Sequence, residues 1–199
     1  MGMFKETLRF IKSHYTSLPY PTKKFTGQTI IVTGSNVGMG LEAARHFVRL
    51  DAAKVILAVR TLSKGESAKS SIESSEKRTS VVEVWELELA SYASVKAFAE
   101  KAKGLERLDA VVENAGMYAF EFKMAEENEM TITVNLVSQF LLGLLLLPKL
   151  RQTSVSFNKE TVLTFTGSFV HLLTKFPERK AEHIFEELAR KETARISDR

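Results

Sequence analysis

Thr29-Ile30-Ile31-Val32-Thr33-Gly34-Ser35-Asn36-Val37-Gly38-Met39-Gly40 runs from a β-branched stretch into a turn spaced with glycines, and a helical pattern, Leu41 to Leu50, follows it. Strand, turn and helix in that order make a site for a phosphate-bearing ligand. Turn amides and the helix N-terminus converge on one point, where their partial positive charge favours an anion. Gly34 suits the tight turn, Gly38 the close approach of backbone to ligand, and Gly40 the close packing of helix on strand. The context of strand and helix raises the motif above a bare glycine pattern. An ordinary glycine-rich connection is the plainer alternative.

Short apolar runs and helical patterns alternate outward from this stretch. Lys54 to Val59 reads as a buried strand, residues 62–74 as a polar helix or loop, and Ser80 to Leu87 as a third strand. Ser91 to Ala102 reads as a helix, Leu108 to Val112 as a fourth strand, and residues 125–150 as a long helix stopped around Pro148. Thr161 to Thr166 is a fifth strand, and Glu178 to Arg195 is charged and helical in pattern. The alternation predicts right-handed βαβ units: an α/β fold, with a doubly wound parallel sheet covered by helices on both faces. Ligands of such sheets bind beyond the C-terminal strand ends, where Gly34, Arg60, Glu88, Asn114 and Ser168 stand.

The 199 residues suffice for one full-sized core. The chain has no cysteine, which excludes disulfides, thiolate metal sites and a thiol nucleophile. A net charge of +4, dispersed along the chain, does not argue for nucleic acid. Phe4, Leu8 and Ile11 recur at helical spacing, predicting a short amphipathic helix over 3–13 that packs on the domain or lies on a membrane surface. Lys5, Arg9 and Lys12 interrupt any secretory core. Leu136 to Leu147 is leucine-rich but short, with Ser138 and Gln139 inside it; it reads as a buried helix, and no transmembrane segment is expected. His171 and His183 lack partners at metal-ligand spacing, so no metal site is expected.

Five motifs together resemble the short-chain dehydrogenase/reductase family, in its retinol-dehydrogenase-like and fungal branch. Thr33 to Gly40 matches the TGxxxGxG turn, Leu87-Glu88-Leu89-Ala90-Ser91 resembles LDLAS, and Glu113-Asn114-Ala115-Gly116 resembles NNAG. Val134-Asn135-Leu136 resembles the helix that carries the family's active-site Asn, and Thr166-Gly167-Ser168 stands in the place of the catalytic serine. The resemblance implies a Rossmann-like NAD(P)-binding domain over 26–175, after an N-terminal segment at 1–25 and before a charged helical tail at 176–199. It implies hydride transfer between a nicotinamide and a small, lipophilic carbonyl or alcohol substrate. It also implies a homodimer in a complete form, and a cytoplasmic protein with peripheral membrane contact through the N-terminal helix.

Within that resemblance, Gly34, Ser35, Asn36, Val37, Gly38, Met39 and Gly40 would hold the cofactor phosphates. Asn114, Ala115 and Gly116 would lie beside the adenosine ribose, and Glu88 and Leu89 at the adenine. Members that bind NAD present an acidic residue after the second strand; here Arg60 stands there, with Lys64 beyond it. A guanidinium fork suits a 2′-phosphate, so NADP (NADPH) is expected in preference to NAD. Ser168 would polarise the reacting carbonyl and Asn135 would brace the catalytic lysine. Glu113 replaces an Asn, and as a carboxylate near the phosphates it would repel them unless turned away.

The family's acid/base is a tyrosine in YxxxK, after the serine, and no tyrosine follows Tyr118. Tyr20 with Lys24 and Tyr92 with Lys96 match formally, but both precede Asn114 and Ser168. The sequence is therefore read as C-terminally incomplete, stopping just before the tyrosine, or else as an NADP-binding module without chemistry, or as a truncated remnant or interaction partner completed by another chain. A partly built sheet with an unprotected edge is expected.

Overall fold

Five strands make one parallel sheet in a computed structural model that describes residues 8–13, 15–168 and 174–194. In chain order the elements are α1 (8–13), β1 (Thr29–Thr33), α2 (Gly38–Arg49), β2 (Lys54–Val59), α3 (Leu62–Glu76) and β3 (Val82–Glu86). Then come α4 (Tyr92–Lys103), β4 (Ala110–Glu113), a hairpin of β5 (Met124–Ala125) and β6 (Asn128–Glu129), and a single turn α5 (Met130–Ile132). A π-helical turn, Thr133–Val137, leads into α6 (Ser138–Phe157), and β7 (Val162–Phe165) follows. A 3-10 turn (Pro177–Lys180) and α7 (Ile184–Leu188) complete the described chain.

The sheet order is β3-β2-β1-β4-β7, every pair parallel. The order reverses at β1, where β2 lies on one side and β4 on the other, and that reversal opens the crevice of a doubly wound sheet. One core layer joins Ile30, Val32, Val55 and Leu57 to Ala44, Val48, Ala68 and Ile72 of α2 and α3. The other joins Ile31, Ile56 and Val111 to Val95, Phe98 and Ala99 of α4 and to Leu142, Leu146 and Leu150 of α6. With both faces covered, β1 is buried along its whole length, as its unbroken β-branched run requires. Asp109, itself buried, fixes where β4 enters: its carboxylate accepts from the Thr29 amide at 2.8 Å and pairs with Arg107.

Four expectations need correction. The helix expected over 125–150 begins at Met130, because the tight β5–β6 hairpin occupies residues 124–129. It also passes through Pro148 and ends at Phe157. The proline leaves the Leu144 carbonyl without its helical donor, and Leu144 is on the exposed side. Asn158, in the left-handed region at φ 44°, terminates the helix instead. The leucine run is buried on one side only, since Leu136, Phe140 and Leu144 are exposed and Phe140 stacks on Phe165. By length and composition Met130–Phe157 is apolar enough to cross a membrane, as the core helix of a globular domain can also be, and its Leu142, Leu146 and Leu150 side belongs to the core. Finally, the charged tail forms two short turns rather than one helix, and α7 packs back against β6 with Leu188 buried.

The 62–74 stretch settles as helix α3, and 8–13 is helical as its spacing predicts. Residues 3–7 and His171 lie outside the described residues. β7 forms the sheet edge among the described residues, with Val162 and Phe165 exposed.

Candidate functional site

A cleft of about 240 Å³ opens at the C-terminal ends of β1, β2, β3 and β4. Gly34, Asn36, Ala58, Arg60, Lys64, Leu87, Glu88, Leu89, Ala115 and Gly116 line it, joined by Met117, Met130 and Val134. Four of the five strand ends singled out in the sequence therefore converge on one crevice.

The glycines divide their work. Gly34 has φ +63° and lies so close to the β4 loop that a Cβ on it would sit 2.8 Å from the Ala115 Cα. Gly40 is pressed against the Asn114 side chain, and a Cβ there would come within 2.6 Å of the Gly34 carbonyl oxygen. Gly38, at φ +59°, faces open space. Two of the glycines thus pack the β1 turn against the β4 loop, while the third leaves its backbone bare to a ligand. No side chain caps α2, so the amides of Gly38 and its neighbours remain available to an anion at the dipole's positive end. Ser35 does not reach into the cleft: it is buried and its hydroxyl donates to the Val32 carbonyl at 2.8 Å, closing the turn. Val37 and Met39 are exposed on the turn's outer side.

Thr33, which sequence reasoning left out of the site, ties the two loops together. Its Oγ1 accepts from the amides of Asn114 and Ala115, both at 2.9 Å, and the Asn114 Nδ2 donates back to the Thr33 carbonyl at 3.1 Å. Asn114 is spent on the scaffold.

The polar residues of the leucine-rich helix have a related task. Asn135, in the π-helical turn, exchanges two hydrogen bonds with the Met117 backbone. Ser138 donates to the Leu89 carbonyl at 2.5 Å, and Gln139 donates to the Ala115 carbonyl at 2.6 Å. Three side chains on consecutive turns therefore fasten the loops after β3 and β4. Their signal in the sequence was plain polarity inside an apolar run. A π-helical turn often marks a functional position, because it rotates a residue off the regular helical face.

At the far end of the cleft, Arg60 is exposed and Lys64 follows on the first turn of α3. Glu88 accepts from the Ala90 amide at 2.9 Å, and its other oxygen lies 3.9 Å from Arg60 Nε. The acidic residue thus holds its own loop and faces the guanidinium. Ser168 lies exposed beyond β7 and is not among the cleft-lining residues. Of the two formal YxxxK tyrosines, Tyr20 stacks edgewise on His46 under Arg49, and the Tyr92 hydroxyl accepts from Asn128. His183 precedes α7 at the surface, and no cluster of metal-ligating side chains occurs among the described residues.

Glu113 is fully buried, and neither carboxyl oxygen has a hydrogen-bond partner. Burial pushes its carboxyl up to about 8; the Thr33 hydroxyl opposes the shift. A carboxyl in such a place stays protonated at neutral pH, which removes the repulsion expected of a carboxylate beside phosphates.

A family model described as short chain dehydrogenase matches residues 28–156. The short chain dehydrogenase/reductase dmxR8 of Cryptosporiopsis is 50% identical over 169 residues, covering 84% of this chain and 52% of that protein. The short chain dehydrogenase atnD of Emericella nidulans is 47% identical over 193 residues, 96% of this chain and 62% of that protein. The chain thus spans between half and two-thirds of these relatives. A short chain dehydrogenase of Escherichia coli, solved with NADPH, superposes with a TM-score of 0.62 at 27% identity, covering 83% of this chain and 66% of that one. One from Shigella flexneri, solved with NADP, gives 0.62 at 26% over the same shares.

Proposed function

The chain belongs to the short-chain dehydrogenase family, and on that premise we propose that it binds NADP(H) in the cleft as part of an oxidoreductase acting on a carbonyl/alcohol pair. The observation that carries this is that Gly34 and Asn36, of the turn leading into the uncapped α2 N-terminus, line the same crevice as Arg60 and Lys64. A pyrophosphate suits the first, beside the bare backbone of Gly38, and a 2′-phosphate suits the second. The NADPH and NADP complexes of the structural relatives support the same cofactor class.

The nicotinamide, when bound, supplies the hydride chemistry. The chain's own residues bind and orient. Thr33, Asn114 and Gln139 set the β4 loop, Ser138 sets the β3 loop, and Asn135 fixes Met117. Ser168 would donate a hydrogen bond to the substrate oxygen. Met117 and Met130 also line an adjoining depression with Phe120, an apolar surface suited to a small lipophilic substrate. On this proposal the protein works in the cytosol, and α1, with Leu8 and Ile11 exposed beside Arg9 and Lys12, suits a membrane surface. The exposed strip Leu136, Phe140 and Leu144 suits a dimer contact.

A second proposal keeps the cofactor and drops the chemistry. It is favoured by the positions of Tyr20 and Tyr92, neither of which lines the cleft. Titration of the purified chain with NADPH and NADH tests what the two share: NADPH is expected to bind more tightly, and binding of neither defeats both. Turnover of a panel of carbonyl compounds separates them.

A further inference from the structure

Glu113 stands at the end of β4, one residue before the loop that Thr33 and Gln139 hold against the glycine turn. It is completely buried, and both of its oxygens are without hydrogen-bond partners. Buried polar atoms in folded proteins are almost always paired, so a carboxyl left in this state at the back of a cofactor cleft needs a reason. The elements packed on β4 are β1, β7 and α6. β1 and β7 carry no titratable residue. α6 carries only Lys149 and Arg151; Lys149 donates to the Glu106 carbonyl at the opposite end of the sheet, and Arg151 is exposed. Among the described residues of these elements, no cation therefore offsets a negative charge on Glu113. The positive ends of the site, the α2 amides and Arg60, lie across the loop in the cleft, where the phosphates are proposed to bind.

Resting on the NADP(H) assignment, we propose that Glu113 is the proton-coupled positioning residue of the cofactor site: the dinucleotide binds to the form with a protonated Glu113, and binding draws a proton from solvent onto any ionised Glu113. The balance is simple. Ionised protein, dinucleotide and one proton combine to give the complex with a neutral carboxyl, and no bond to the cofactor changes. The cause is like-charge repulsion through a low-dielectric wall, between a carboxylate and a pyrophosphate separated by the Asn114-Ala115 loop. By linkage, a group whose ionisation weakens binding must take up protons when the ligand binds. A neutral carboxyl also lets the loop close on Thr33 without a charge beneath it. The natural choice at this position, a neutral amide, would give the same packing with no pH dependence.

The test is calorimetric titration of the full chain with NADPH at pH 6.5 and pH 8.5, each in two buffers of different ionisation enthalpy. At pH 8.5 the unaltered chain is expected to take up a substantial fraction of a proton, and Glu113→Gln none. The dissociation constant of the unaltered chain is expected to weaken roughly tenfold between pH 7 and 9.5, and that of Glu113→Gln to stay flat. Equal uptake by both proteins, or none by either with binding intact, overturns the proposal and leaves the cofactor assignment standing. Absence of NADPH binding even at pH 6.5 overturns both. If Glu113→Gln and Glu113→Met both fail to fold, the unaltered chain decides alone: uptake that grows with pH supports the proposal, and uptake that stays at zero overturns it.

Discussion

Asn135 and Met117 hold each other by both ends: the Asn135 Nδ2 donates to the Met117 carbonyl and its Oδ1 accepts from the Met117 amide, each at 2.8 Å. The pair spans the join between the loop after β4 and the π-helical turn; Asn135 is exposed and Met117 half-buried. Replacing Asn135 by Leu removes both bonds while keeping the bulk. Partly solvated bonds of this kind stabilise by about 1 kcal/mol in all, so the melting temperature is expected to fall by about 3 °C. Hydrogen exchange at the Met117 amide is the sharper measurement. It is expected to accelerate while the amides of β1 stay protected, and unchanged exchange at Met117 would sink the idea.

Arg60 and Glu88 set the second prediction, for cofactor choice. Arg60→Leu is expected to weaken NADPH binding by about ten- to a hundredfold, the size of one lost charge-assisted contact, and to leave NADH within about threefold. Lys64→Ala is expected to have a smaller effect of the same sign. Fluorescence titration with both nucleotides checks it, and an equal loss for NADH would show that Arg60 acts on the fold.

Gly34 and Gly38 share a positive φ but not an environment. Gly34→Ala drives a methyl into the Ala115 backbone and is expected to cost more than about 2 kcal/mol of stability. Gly38→Ala meets no atom within 4 Å and is expected to cost about 1 kcal/mol, from the backbone conformation alone. Its larger effect is expected on NADPH affinity, since the methyl occupies the ligand's side of the turn. Chemical denaturation of the two variants, beside their NADPH titrations, should show stability and binding moving in opposite orders.

Glu113 also predicts how stability depends on pH without any ligand. Burial pushes its carboxyl up to about 8 in the folded chain, against an ordinary value of 4.5. Between those two values the folded state binds more protons than the unfolded state, so stability is full below pH 4.5 and declines as pH rises through 8. Above that the contribution is lost and the curve flattens. Replacement by Gln removes this term, so the gap between the two proteins' melting temperatures is expected to change by on the order of 10 °C from pH 5 to pH 9. A constant gap across that range would mean that Glu113 ionises normally.

Most of the architecture was legible because its signals were local. The β-branched run from Thr29 reads as a strand and the apolar Lys54–Val59 stretch as a buried one, and both are buried strands. Arg60, Glu88 and Asn114 were found by their place at strand ends. What escaped depended on partners far away in sequence. Thr33 looked like one more β-branched residue, yet its hydroxyl serves amides 81 and 82 positions later. In the sequence Ser138 and Gln139 are only polar interruptions of a leucine run, yet in the fold they fasten Leu89 and Ala115. Pro148 was read as a stop because its effect on a helix depends on whether the orphaned carbonyl faces water, which a sequence does not state. Glu113 was expected to repel phosphates, and only its complete burial shows it to be neutral.

Every residue that lines the cofactor cleft lies between Gly34 and Val134. During synthesis, then, the whole crevice leaves the ribosome before β7 does. Strand β1, at the centre of the sheet, already has both its neighbours, β2 and β4, by Glu113. If the cleft takes NADP(H) as proposed, a nascent chain can thus meet its dinucleotide before the β7 edge is added, and mass action from the cellular cofactor pool favours the folded arrangement from that moment. On the NADP(H) proposal, the dinucleotide is expected to act on biogenesis as well as on chemistry.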